Sequence, residues 1–250
     1  MNRRFALVLA LLLGVADVAQ ADMLKPRAVD LAAKYEGFTL VLGPARRIVY
    51  VYYTGTIHLL ESRAGKLVEV STRDLWSMVL RILAVDLDGD GQDEIVGYTK
   101  DARLFVLRGT DLGDVWNTPI ARWQSITALT VGDVDQDGHL EILVIADRLL
   151  RVFSAERDQE QWKSTQPFDD TDMALGDVDG DGREELVMSG GNIFDAYYRN
   201  LEWGSGAASG FGVDIDLFDI DGDGKLEVIG RGADGLIRIW DVDERRLKFN

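Results

Sequence analysis

"GDVDGDGREELVMSG", residues 176–190, sets five carboxylates (Asp177, Asp179, Asp181, Glu184 and Glu185) within nine positions and then runs straight into apolar residues. Two like charges 4 Å apart repel by about 1 kcal/mol in water and by several times that near a protein surface. Four carboxylates around one point repel in every pairing, and the sum rivals the roughly 5–15 kcal/mol that holds a domain folded. The stretch therefore calls for a counter-charge, and a bound cation supplies one.

The same pattern occurs four times: "DLDGDGQDEIV" from Asp86, "DVDQDGHLEIL" from Asp133, "DVDGDGREELV" from Asp177 and "DIDGDGKLEVI" from Asp219. Each copy has Asp at positions 1, 3 and 5, Gly at 6, Glu at 9 and an aliphatic residue at 10. The starts lie 47, 44 and 42 residues apart, the mark of one supersecondary unit repeated.

Calcium accounts for the spacing. It is a hard cation that takes six to eight oxygens at about 2.3–2.6 Å. In a tightly curled loop, alternate residues aim at one centre, which gives Asp86, Asp88 and Asp90; Asp133, Asp135 and Asp137; Asp177, Asp179 and Asp181; and Asp219, Asp221 and Asp223. Position 6 turns sharply and needs glycine. Position 7 lends a backbone carbonyl, so its side chain is free to vary as Gln92, His139, Arg183 and Lys225. Glu94, Glu141, Glu185 and Glu227 close the shell. Magnesium, with its smaller and wetter octahedron, suits the pattern less. About four structural Ca²⁺ ions are expected.

An EF-hand begins in the same way but needs a bidentate Glu at position 12 and flanking helices. Position 12 here is Gly97, Val144, Met188 or Gly230, and the flanks are short, β-branched and strand-like. Each loop is followed by "EIVGYT" or "EILVIA", then by "RLFVLRG", "RLLRVFS" or "LIRIWDV", then by a short segment ending at Trp116, Trp162, Trp203 or Phe249. A second aromatic precedes each loop: Trp76, Trp123, Phe168 and Phe211. Both sets are expected as wedges between successive sheets in preference to ligand-stacking platforms.

Four antiparallel strands every 44 residues describe a propeller blade. The predicted fold is all-β, a single β-propeller domain over 37–250 with five four-stranded blades. Blade one covers about 37–74 and has a tight "GPAR" turn in place of the ion loop; blades two to five cover about 75–120, 121–165, 166–208 and 209–250. The ion loop joins the first and second strands of each of the last four.

"MALGDVDGDGREELVMSGG", together with Phe211-Gly212 eight residues before Asp219, resembles the FG-GAP (VCBS-type) repeats of integrin alpha chains and of many exported bacterial proteins. The resemblance covers roughly residues 75–250. It implies that the matching Asp and Glu positions are calcium ligands and that the chain serves adhesion, recognition or assembly outside the cytoplasm. "RIWDVD" at 238–243 echoes the WD repeat, whose members lack acidic loops.

The remaining features fit this reading. "MNRRFALVLALLLGVADVAQA", residues 1–21, has the charge, apolar run and A-x-A site of a secretory signal, followed by an N-terminal segment over 22–36. No other stretch is long and apolar enough to span a bilayer. There are no cysteines, which excludes disulfides, thiolate zinc and Cys nucleophiles. The net charge of −16 argues against nucleic acid. The sixteen ligand carboxylates account for all of that charge. The expected partner is an envelope or extracellular protein, or a glycan.

A non-catalytic scaffold is the leading reading. A lectin-like surface on the insert "DAYYRNLEWGSGAASG", with Tyr197, Tyr198 and Trp203, is an alternative. A polysaccharide-acting enzyme would need paired carboxylates outside the loops. Asp169, Asp170 and Asp172, and Asp214 and Asp216, are the only clusters on offer.

Overall fold

The computed structural model describes residues 37–42, 47–52 and 54–249. The stretches read above as a secretory signal (1–21), an N-terminal segment (22–36) and a "GPAR" turn (43–46) lie outside the described residues. Among the described residues, twenty strands form five antiparallel four-stranded meanders. The first sheet is β1 (Gly37–Leu42), β2 (Arg47–Tyr52), β3 (Thr56–Arg63) and β4 (Lys66–Asp74). The second is β5 (Val79–Val85), β6 (Glu94–Thr99), β7 (Leu104–Arg108) and β8 (Asp114–Asn117). The third is β9 (Ile126–Gly132), β10 (Glu141–Ala146), β11 (Leu149–Ser154) and β12 (Glu160–Pro167). The fourth is β13 (Met173–Gly176), β14 (Glu185–Met188), β15 (Asn192–Asp195) and β16 (Leu201–Gly204). The fifth is β17 (Asp214–Phe218), β18 (Glu227–Arg231), β19 (Ile237–Asp241) and β20 (Arg246–Phe249).

Successive first strands touch: β1 meets β5, β5 meets β9, β9 meets β13, and β13 meets β17. The sheets thus stack face to face about a common axis. This explains why β6, β10 and β14 are buried at every residue and read as continuous apolar runs, without alternation. Each lies between two neighbouring sheets. Four apolar clusters fill the spaces: Val49, Ile57 and Leu59 against Ile95 and Phe105; Val96 and Val106 against Leu129 and Val144; Leu143 and Ile145 against Met173 and Met188; Val187 and Ile193 against Val228 and Trp240. Among the described residues no such cluster joins the fifth sheet to the first.

The wedge reading of the aromatics is right inside the stack and wrong at its ends. Trp116 stacks on Phe153 at 6.3 Å and donates its Nε1–H to the Ala155 carbonyl at 2.8 Å. Trp123 meets the same ring edge-on at 5.8 Å. Phe168 packs on Phe194, and Trp203 on Phe211, each at 5.8 Å. Trp76 instead is 86% exposed with φ 59°, because Leu75 occupies the apolar space between the first and second sheets. Phe249 is 58% exposed, with no following sheet among the described residues to receive it.

Every sheet also carries a β-bulge at one equivalent place. The residue of the third strand that pairs with the first residue of the second strand fixes the frame: Arg108 faces Glu94, Ser154 faces Glu141 and Asp195 faces Glu185. One or two residues before it, the fourth strand inserts an extra residue: Val70, Val115, Gln161, Glu202 or Lys248. A bulge bends its strand and re-aims one side chain.

Polar ties run along the axis. The Tyr98 hydroxyl donates to the Thr127 carbonyl at 3.2 Å, the Thr127 hydroxyl to Asp170 at 2.8 Å, and the Thr171 hydroxyl to Val213 at 2.8 Å. Asp172, 1% exposed, receives the Arg81 guanidinium at 2.9 Å and the N–H groups of Met173 and Ile215 at 3.0 Å each. One carboxylate thereby links the second, fourth and fifth sheets. Asp172→Ala strands the Arg81 charge and takes an acceptor from the Met173 and Ile215 amides, and is expected to cost about 2–4 kcal/mol, the Arg81 side being part-solvated. Asp214→Ala, which breaks an exposed pair with Arg231, is expected to cost within about 1 kcal/mol. Urea unfolding at fixed calcium measures both.

Candidate metal centres

Antiparallel meanders place the loop between first and second strands at one end of each sheet, so the four acidic loops occupy equivalent corners. Their internal bonding is nearly the same. The position-1 carboxylate accepts two loop amides, and Asp219 a third, that of Asp223 at 3.2 Å. Asp86 takes Gly89 and Gly91 at 2.9 Å each, Asp177 takes Gly180 at 2.7 Å and Gly182 at 2.9 Å, and Asp219 takes Gly222 at 2.7 Å and Gly224 at 3.0 Å. Asp133 takes Gly138 at 3.0 Å and Asp137 at 3.2 Å. The position-5 carboxylates of Asp90, Asp137, Asp181 and Asp223 accept the amides of Gln92, His139, Arg183 and Lys225 at 2.7–2.9 Å. Left-handed backbone recurs at position 4 as well as at 6. Gly89, Gly180 and Gly222 hold it at φ 72–80°, while Gln136 adopts φ 60° in the third sheet without glycine's freedom.

The glutamates at position 9 are the buried members. Glu141 and Glu185 are each 1% exposed. Their Oε2 atoms, with those of Glu94 and Glu227, accept the position-2 amide: Leu87 at 3.0 Å, Val134 at 3.1 Å, Val178 at 2.9 Å and Ile220 at 2.8 Å. That bond leaves Oε1 for the loop centre. In the second sheet Asp86, Asp88 and Asp90 bring ligand oxygens within 4.8 Å of one another; Asp133, Asp135 and Glu141, Asp177, Asp179 and Glu185, and Asp219, Asp221 and Glu227 do the same in the other three. Two oxygens on opposite sides of one calcium ion are separated by about 4.6–5.2 Å, so the donor sets fit a hard, oxygen-loving divalent ion.

The electrostatics agree with that fit. Burial, reinforced by the neighbouring aspartates and opposed by the loop amide, pushes the Glu141 carboxyl up to about 7 and that of Glu185 up to about 8. Glu94 is raised for the same reasons. Glu202, the bulged residue of the fourth sheet, adds to the load on Glu185 and is itself raised by burial, Asp179 and Asp195.

Two groups of residues do not join these centres. Asp170 accepts the Gly190 amide, and Asp172 holds the axial network. Asp169 pairs with Arg148 and Asp214 with Arg231. These contacts tie strands and sheets together. On the insert, Tyr197 and Tyr198 are exposed and meet edge-on at 5.0 Å, whereas Trp203 is half-buried. The Arg183 guanidinium lies 5.4 Å from the Tyr198 ring and 2.6 Å from Asp181, which joins the tyrosine pair to the ion loop. Sequence reasoning treated position 7 only as a backbone donor and missed this contact.

A carboxyl raised by folding binds its proton more tightly in the native than in the unfolded chain. It favours the native state at acid pH and loses that contribution as pH rises from about 4.5 through its folded value. In chelator, stability is expected to fall between pH 5.5 and 8.5 as Glu141 and Glu185 ionise. Asp111 and Asp234, lowered by Arg108 and Arg238, act below this window. Saturating calcium is expected to remove the slope, as thermal melts at several pH values with and without the ion will show.

The FG-GAP-like repeat family matches residues 86–144, which span the first two acidic loops. Solved structures share the fold. BamB from Moraxella catarrhalis is 14% identical over 80% of this chain and 59% of its own, with a TM-score of 0.52. Sqt1 from Saccharomyces cerevisiae is 11% identical over 84% and 61%, with a TM-score of 0.58. The biofilm matrix protein Bap1 from V. cholerae is 19% identical over 84% and 38%, with a TM-score of 0.55. The chain thus spans at most about three-fifths of these structures. A search of curated proteins returns no match. The repeated acidic loop, its place after the first strand of each of the last four sheets and the family match together show that the chain carries FG-GAP-like repeats.

Proposed function

We propose that the chain is an exported, calcium-stiffened β-propeller that acts as a non-catalytic scaffold for protein recognition or assembly. The observation that carries this reading is the coupling of an ion loop to an exposed aromatic pair through Arg183. The ligand set of this reading is positions 1, 3, 5 and 9 with the carbonyl of position 7; it is supported by the grouping of positions 1, 3 and 5 in the second sheet and of 1, 3 and 9 in the other three. The ion converts self-repelling carboxylates into a rigid corner. Tyr198 is held against that corner by Arg183, and Tyr197 rests on Tyr198. Tyrosine and arginine are the residues that dominate interface energetics. Both the loop and the turn between third and fourth strands lie at the same end of the sheet, so ion binding and partner binding share one surface. Export rests on the signal-like residues 1–21, and millimolar calcium outside the cytoplasm suffices even for a weak site.

A glycan-binding surface would use the same tyrosines, and a glycan-acting enzyme would need a carboxylate pair released from structural duty. Envelope extract passed over the immobilised chain, in calcium or in chelator, separates these readings. The scaffold reading expects a protein retained only in calcium and lost from a Tyr197→Ser/Tyr198→Ser variant whose melting is unchanged. Retained glycan, or turnover of an added polysaccharide, would replace it.

Ion binding is measured separately. Occupation at ten times Kd adds about 1.4 kcal/mol per site. In a domain of this size that raises Tm by roughly 3–5 °C per site. Calcium is expected to raise Tm more than magnesium does, and Asp179→Ala is expected to remove one site's share.

A further inference from the structure

The four acidic loops are alike in sequence, but in one of them a cation of the chain bridges two of the grouped carboxylates. In the fifth sheet the Lys248 ammonium lies 2.5 Å from the Asp221 carboxylate and 3.0 Å from Oε1 of Glu227. These are the oxygens that the other loops leave for an ion. Asp241, buried on β19, stands 3.7 Å from the same nitrogen. Lys248 is itself 15% exposed at its side chain, so the ammonium is largely withdrawn from water into this group. Among the described residues the other three loops have no lysine at the equivalent place.

The bulges explain why. Lys248 is the extra residue that the fourth strand of the fifth sheet inserts between the partners of Ile239 and Trp240. The equivalent insertions are Val115, Gln161 and Glu202. Glu202 also faces its loop: it lines a pocket with Asp179, and its charge acts on Glu185. At the inserted position the second to fifth sheets thus carry an apolar group, an amide, a carboxylate and an ammonium, the last two of which face their loops. Only the ammonium neutralises the carboxylates without an outside ion.

We propose that Lys248 is the resident cation of the fifth-sheet loop, so that the chain takes up three divalent ions and not four. This rests on the calcium reading of the other loops. A divalent ion entering among Asp219, Asp221 and Glu227 meets the ammonium at close range, and the repulsion is twice that between two unit charges. To admit the ion, the lysine must leave three carboxylates at once. Because Lys248 is covalently attached, it competes at a high local concentration whatever the calcium level.

Calcium stoichiometry, measured on the full chain by equilibrium dialysis and titration calorimetry, tests the proposal. The wild-type chain is expected to bind three ions, and Lys248→Gln four. Asp133→Asn and Asp177→Asn are each expected to weaken one site of the wild-type chain at least tenfold, whereas Asp219→Asn leaves the three wild-type sites unchanged. Four ions on the wild-type chain would overturn the role of Lys248, as would three on both wild type and Lys248→Gln. No calcium on either chain would overturn the calcium reading itself, and with it this inference. The wild-type count stands whether or not any variant folds.

Discussion

The structure depends on a buried carboxylate that opens the second strand. Glu94, Glu141, Glu185 and Glu227 each occupy the seam between an exposed acidic loop and a fully or largely buried strand, and each spends one oxygen on a loop amide. Taking a carboxylate out of water is costly unless it is paired and hydrogen-bonded. The single amide bond only partly offsets that cost, as the raised affinities of Glu141 and Glu185 for a proton show. The loop is therefore incomplete as built from protein atoms alone. A proton taken up in acid balances it, and the donor sets fit a divalent ion that would do the same near neutrality.

Around these corners the sheets are held by two separate means. Apolar clusters fill the gaps between faces, and hydroxyl-to-carbonyl bonds with the Arg81–Asp172 pair tie the first strands near the axis. The clusters are tolerant of which aliphatic residue fills them. The axial pair is not, since its geometry is set by residues from three sheets at once.

The legibility of the sequence follows this division. The loops could be read because ion ligation demands particular residue types at fixed spacing within one short segment, and the four-strand period because each copy repeats it. The inner wedges Trp116, Trp123, Phe168, Trp203 and Phe211 could be read by the same repetition. Trp76 and Phe249 were misread because repetition assumes a neighbour on both sides, and it hides the fact that Leu75 has taken the first gap. The roles of Asp172 and Lys248 were invisible for a different reason. Each depends on cross-strand register or on a partner tens of residues away, and no local pattern encodes a one-residue bulge.

The absence of an apolar cluster between the last sheet and the first, among the described residues, has a consequence for how the molecule breathes. Among the described residues the interior sheets are buttressed on two faces and the first and fifth on one, so their stability follows nearest-neighbour couplings as in a repeat array. Such an array frays from its extremities inward. Amide hydrogens of β10 should exchange with solvent most slowly and those of the two end sheets, β1 to β4 and β17 to β20, soonest, so that local opening grows from the middle of the chain toward both ends.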